Sequence, residues 1–201
     1  YTKGNGDTIA FTAHSNVFDD LRPVVDLFAL EKSIAKWIVD FNQAKEYQLR
    51  GAKGLYDFNN PKTITNTLFI HAHEKELNYS FHPKLFPISS PSTDVYFSKG
   101  ILTIKPHNAL YNKHALHGAS AVNIDFNHEH TTLDIDLKTE TTLDNDIVGI
   151  VNAYDIPLPL SQEKGKTQAR IKITIDLFTG QQSQCSGNNF LTSQKFTPFF
   201  I

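Results

Sequence analysis

From Gln168 to Phe178 apolar and polar residues alternate, with Ile171, Ile173 and Ile175 set against Arg170, Lys172 and Thr174. Successive side chains of a β-strand leave opposite faces, so a period of two puts the isoleucines on a buried side and the polar residues in solvent. The same period runs through Leu133, Ile135 and Leu137 against Asp134 and Asp136, within a predicted strand from Thr131 to Thr139. It recurs in the preceding strand, Ala119–Phe126. A helix cannot satisfy this pattern, and the chain is therefore predicted to be mainly β.

A short repeat punctuates these strands. Asp-Phe-Asn occurs as Asp40-Phe41-Asn42, Asp57-Phe58-Asn59 and Asp125-Phe126-Asn127, each at the close of an apolar run. Read as strand ends, Phe points inward, Asp faces solvent, and Asn opens the turn. Further strands are expected over Thr8–Thr12, Gln48–Phe58 (with Gly51 and Gly54 as bulge or bend points), Thr67–Ala72, Asp94–Phe97 and Gly100–Lys105. A helix is expected over about residues 23–33, yielding by Lys36 to a strand that includes Trp37, Ile38 and Val39. The prolines of Pro83–Pro91 predict a rim loop, and Ile147–Tyr154 reads as a strand covered on both faces. The apolar tail Phe196–Ile201 is expected to dock on the sheet or on a partner. Together these predict a single antiparallel β-barrel or sandwich with one short N-terminal helix. It forms one β-rich domain over residues 1–201, with a core of about 26–180, an arm at 1–25 and a tail at 181–201.

Composition narrows the function classes. A net charge of −2 without clustered Lys or Arg excludes a nucleic-acid footprint. No apolar run is long enough for a transmembrane helix. The chain starts at Tyr1 and contains no Met, which predicts an exported protein, secreted or periplasmic, with its signal peptide removed. The single Cys185 cannot form an intrachain disulfide, so packing must hold the fold. No Gly-rich phosphate loop, nucleophile elbow or zincin motif occurs, and no catalytic residue is named.

One stretch is similar to a known family. Between Ser33 and His73 come Trp37-Ile38-Val39, then Arg50-Gly51, then Leu55-Tyr56-Asp57-Phe58-Asn59-Asn60-Pro61, and Ala169–Phe178 looks like a closing strand. This order resembles YceI-like proteins. The resemblance implies an extended lipocalin-like barrel, exported to the periplasm or beyond, around a long apolar ligand such as a polyisoprenoid. The family's Arg-Asp…His-Leu segment is missing, and His82-Pro83-Lys84-Leu85 stands nearest to it.

Three functional expectations follow. The first is a non-enzymatic binding protein holding an apolar small molecule or lipid inside a β-barrel, with Trp37, Phe41, Phe58, Phe69 and Phe126 as ligand-binding aromatics. The second is a His-based metal- or haem-binding protein. His71 and His73 share a strand face about 7 Å apart at Cα, His128 and His130 repeat the spacing, and zinc or copper suits imidazole. His82, His107, His114 and His117 are further possible ligands. The third is a surface or filament interaction module whose apolar tail adds a strand to a neighbour, giving a homo-oligomer. The pairs Asp134/Asp136 and Asp144/Asp146 could serve acid–base chemistry or Ca²⁺, but read first as the wet side of a strand and as turn residues.

Overall fold

The computed structural model describes residues 2–5, 7–26, 32–117, 121–126, 131–154, 160–162, 165–177 and 196–198. In chain order the elements are β1 (Thr2–Asn5), β2 (Thr8–Ala13), β3 (Val17–Phe18), α1 (Arg22–Asp26), α2 (Lys32–Val39), β4 (Asn42–Gln43) and β5 (Glu46–Asp57). After a 3-10 turn come α3 (Ile64–Thr67), β6 (Phe69–Tyr79), β7 (Ile88–Ser98), β8 (Ile101–His107), β9 (Leu110–Tyr111) and β10 (His114–Ala115). The last are β11 (Ala121–Asp125), β12 (Thr132–Thr141), α4 (Asn145–Ala153), β13 (Leu160–Gln162), β14 (Thr167–Asp176) and β15 (Phe196–Pro198). Strands hold 56% of the described residues against 17% in helices, so the chain is mainly β as predicted.

One large antiparallel sheet dominates, with the order β1-β2-β5-β6-β7-β8-β11-β12-β14. Most neighbours along it are also neighbours in sequence, as hairpin connections require. Between β7 and β8, Lys99 and Gly100 both adopt positive φ, the turn whose twist matches the flanking strands. The sheet ends at β1 and β14 and does not close, which corrects the expected barrel. A closed meander needs its two terminal strands to bond each other, and here each has one neighbour on the path. The tail strand β15 pairs instead with β13 in a separate two-stranded sheet.

Alternation decides which face is buried. Leu133, Ile135 and Leu137 of β12 and Ile171, Ile173 and Ile175 of β14 all lie in the core, joined by Val122 and Ile124 of β11 and Ile104 of β8. The helices cover this face: Ile147 and Ile150 of α4 are buried in it, and Trp37 and Ile38 of α2 pack against it. The opposite face is polar. There Arg170 donates through Nε and Nη2 to Asp136 at 2.9 and 2.6 Å, and Thr174 Oγ1 donates to Asp134 at 2.6 Å. The expected wet side of β12 is thus observed. Among the described residues no helix is long and apolar enough to cross a membrane.

Three local assignments differ from expectation. Trp37–Val39 lies in helix α2, not in a strand, because Trp37 and Ile38 follow Ile34 at helical spacing and pack on the core while Lys32 and Lys36 stay exposed. Ile147–Tyr154 is not a buried strand but falls in α4 and its cap. A short apolar run fits either element, and Asp144 decides it by accepting from the Asp146 and Ile147 backbone N–H groups at 3.1 and 3.3 Å. Strand β7 runs from Ile88 through Pro91, inside the expected loop; Pro91, lacking an N–H, falls at a break in the β6–β7 pairing, between Ser90 opposite Leu77 and Ser92 opposite Lys75.

The Asp-Phe-Asn repeat is also uneven. Asp57 and Asp125 do end strands, but Asp40 follows helix α2. Phe58 is 56% exposed, not buried. At the second copy the turn is made by Asp57, whose Oδ1 accepts from the backbone N–H of Asn59 at 2.8 Å, so Asp and not Asn closes the local ring.

Candidate metal centre

His114 begins β10, the second strand of a hairpin whose turn is Asn112-Lys113. Asn112 sits at φ 52°, a left-handed conformation that asparagine tolerates better than most residues. The hairpin docks along the end of β12: Thr139 Oγ1 donates to the Ala115 carbonyl at 2.9 Å, and Leu116 bridges Thr139. That docking buries His114, which is 5% exposed. Its Nδ1 lies 2.6 Å from Thr141 Oγ1. Its Nε2 points at the first turn of α4, 3.2 Å from Asp144 Oδ1 and 3.4 Å from Asp146 Oδ2.

These ligand atoms lie within 4.8 Å of one another. Tetrahedral zinc with bonds of 2.0–2.1 Å keeps its ligand atoms about 3.3 Å apart. The Nε2 separations of 3.2 and 3.4 Å match that spacing. Nε2 is also buried without a hydrogen-bond partner. If Nδ1–H donates to Thr141, Nε2 carries a lone pair aimed at two carboxylates, an arrangement that a bound cation satisfies as well as a proton on Nε2 does. A ring N–H held by a second partner is the usual arrangement behind a metal-ligating imidazole.

Two turn residues complete the surroundings. Asn112 Nδ2 donates to Asp146 Oδ2 at 2.8 Å. Lys113 Nζ lies 2.9 Å from Asp144 Oδ2 and 3.4 Å from Asp146 Oδ2, with its side chain 65% exposed. Burial pushes the Asp144 carboxyl up, but the Lys113 hydrogen bond and the Ile147 N–H outweigh it, and the group is held below the usual carboxylate range. The Asp144 carboxylate is thus charged at neutral pH. The lysine is a tethered cation that can swing out, since its ion pairs are exposed and screened by solvent.

No protein-family model, no curated protein and no solved structure matches this chain. Geometry alone carries the functional reading.

Of the metal ligands named from sequence, His71 and His73 do share the polar face of β6, but they meet a carboxylate the sequence did not connect to them. His71 Nε2 lies 3.4 Å and His73 Nδ1 3.3 Å from Asp94 Oδ1, while His107 Nε2 lies 2.9 Å from Asp94 Oδ2. Arg50 Nη1 donates to Asp94 Oδ1 at 3.3 Å, and the β5–β6 register shift between Leu49 and Gly51 makes Arg50 the extra residue of a bulge. Partial burial raises the Asp94 carboxyl, but hydrogen bonds to His107, His73 and His71 hold it at about 2. His128 and His130 lie outside the described residues.

The five aromatics expected to line a ligand cavity are spread over the fold. Trp37 and Phe41 meet edge to face at 4.7 Å, and Phe126 meets Phe97 at 5.9 Å. Phe58 and Phe69 are 56% and 37% exposed. Between Leu77, Ile88, Ile104, Val122 and Leu137 the apolar interior leaves a recess of about 10 Å³, room for at most one water.

Proposed function

We propose that this protein binds a divalent metal ion, zinc by its ligand set, through His114, Asp144 and Asp146. The observation that carries this reading is the buried His114 Nε2 set at ligand spacing from two carboxylates. One imidazole and two carboxylates suit zinc better than Ca²⁺, which takes oxygen ligands only. The ion displaces the Lys113 ammonium and ties the β9–β10 hairpin to α4. Because Ile147 and Ile150 of α4 are buried in the core, the metal stabilises the helical cover of the sheet. An apolar cargo, as the YceI-like resemblance implies, would have to widen the recess lined by Leu77, Ile88, Ile104, Val122 and Leu137 first, since it holds about 10 Å³.

The test is elemental analysis with zinc titration of the untagged chain and of an Asp144→Asn/Asp146→Asn variant. Asparagine keeps the N-cap of α4, so the helix is expected to survive. The variant should take up one zinc equivalent fewer than the wild type and should lose the rise in Tm that zinc gives. Equal zinc content and an equal thermal shift in the two proteins would refute the site.

A further inference from the structure

The pairing of β5 with β6 ends at Glu46 opposite Lys75, and the two-residue strand β4 covers that edge of β6 further on. We propose that residues 40–45, together with helix α2, form a proton-held strap: neutral Glu74 keeps it docked on β6, and ionised Glu74 lets it open ahead of the rest of the sheet. Few backbone bonds hold the strap. Ser80 N–H donates to the Phe41 carbonyl at 2.8 Å and Lys45 N–H to the Lys75 carbonyl at 3.0 Å, with Asn42 and Gln43 opposite Tyr79 and Asn78. Tyr47 Oη donates to the Asn42 carbonyl at 3.0 Å and accepts from Ala44 N–H at 2.9 Å. Trp37 and Ile38 of α2 pack against the core, as does Ala44, so opening uncovers apolar surface. A short segment on few bonds is the kind of unit that opens while longer ladders stay closed.

A buried polar cluster fastens the strap to the sheet. Asn42 Nδ2 donates to Glu74 Oε1 at 2.7 Å. Asn42 is the register partner of Tyr79, and Thr93 that of Glu74. All four residues are buried, and Glu74 Oε2, Asn42 Oδ1, Tyr79 Oη and Thr93 Oγ1 have no hydrogen-bond partner. With its proton, Glu74 is a neutral group that can donate as well as accept; ionised, it is a buried charge that no donor meets at Oε2. Lifting Asn42 off the sheet admits water to that charge, so ionisation favours the open strap. Other titratable groups surround the cluster. Tyr47 on β5 and Tyr79 on β6 are raised by burial and by Glu74 itself, and so stay neutral. Asp20 and Arg22 act on Tyr47, Tyr154 acts on Tyr79, and Lys36 of α2 lies over Phe41 at 5.6 Å. His82, whose ring lies 5.2 Å from that of Tyr154, is lowered by burial and by Lys84.

Amide hydrogen exchange tests the strap, with Glu74→Gln as the protein that cannot ionise there yet keeps His82. The docked form holds Glu74 at about 7 against an ordinary 4.5, so ionisation eases opening by up to about 300-fold between those values and no further above them. At about pH 8 the Lys45 and Ser80 amides should exchange up to about 300-fold faster in the wild type than in Glu74→Gln, and at about pH 4.5 at nearly equal rates. Their exchange should be almost independent of urea below the unfolding transition. Amides of the β12–β14 ladder should instead speed up with urea, as global opening requires. If Glu74→Gln does not fold by circular dichroism, the wild type alone should show the same rise between these two pH values, once the intrinsic pH dependence of exchange is removed. Lys45 and Ser80 amides that follow the β12–β14 amides in rate and urea dependence, or that ignore the state of Glu74, overturn the strap. The His114 reading depends on neither result, since its own variant is scored separately.

Discussion

Replacing Leu133 with alanine should lower the unfolding free energy by about 2–5 kcal/mol, the range for truncating a buried leucine. Leu133 is 0% exposed at the centre of the core. Its neighbours are held on both sides: β11 places Ile124 opposite it, and β14 places Ile175 opposite it. Two ladders of backbone hydrogen bonds keep those strands from sliding into the space, so the cavity persists and the cost sits high in the range. Urea unfolding followed by circular dichroism gives the value from the shifted midpoint, with an unchanged slope. A loss near zero would mean that the apolar face of the sheet is not packed as described.

The second large effect concerns Glu74 and runs opposite in sign above neutral pH. Glu74 is 4% exposed on β6; its Oε1 accepts from Asn42 Nδ2 at 2.7 Å, and its Oε2 has no hydrogen-bond partner. Burial pushes the carboxyl up, the Asn42 bond only partly opposes this, and the group reaches about 7 from an ordinary 4.5. A raised acid means that the folded chain keeps a proton the unfolded chain gives up. Stability therefore falls as pH rises from about 4.5 to about 7, and the full penalty, on the order of 3 kcal/mol, applies above that window. Glu74→Gln cannot ionise and keeps an acceptor for Asn42. Its unfolding free energy should lack this decline, so that the variant gains on the wild type by up to about 3 kcal/mol between pH 4.5 and pH 8. Parallel pH profiles for the two proteins would sink the assignment.

Both residues show what a linear reading can reach. Leu133 was legible, because period-two alternation in Leu133, Ile135 and Leu137 leaves only one face to bury. Glu74 was only half legible: alternation with Ile70 and Ala72 puts it on their face of β6, but nothing in its own neighbourhood names Asn42, 32 residues away, as its partner. The histidines divide in the same way. That His71 and His73 share a face follows from their spacing, yet Asp94 and His107 reach them only through the pairing of β6, β7 and β8. For the His114 site, Asp144-Asn145-Asp146 ahead of an apolar run is a helix N-terminal signature, and reading it so would have recovered α4. It would still not have named His114, which a docked hairpin brings there.

By itself the sequence determined the β character of this chain, the identity of its buried faces along β12 and β14, and the sharing of one face by His71 and His73. These are local consequences of where successive side chains leave an extended backbone. The open sheet and the meeting of His114 with two carboxylates were decided only by tertiary structure. Each depends on which distant segments pair, and a period of two is the same whichever neighbour a strand finally takes.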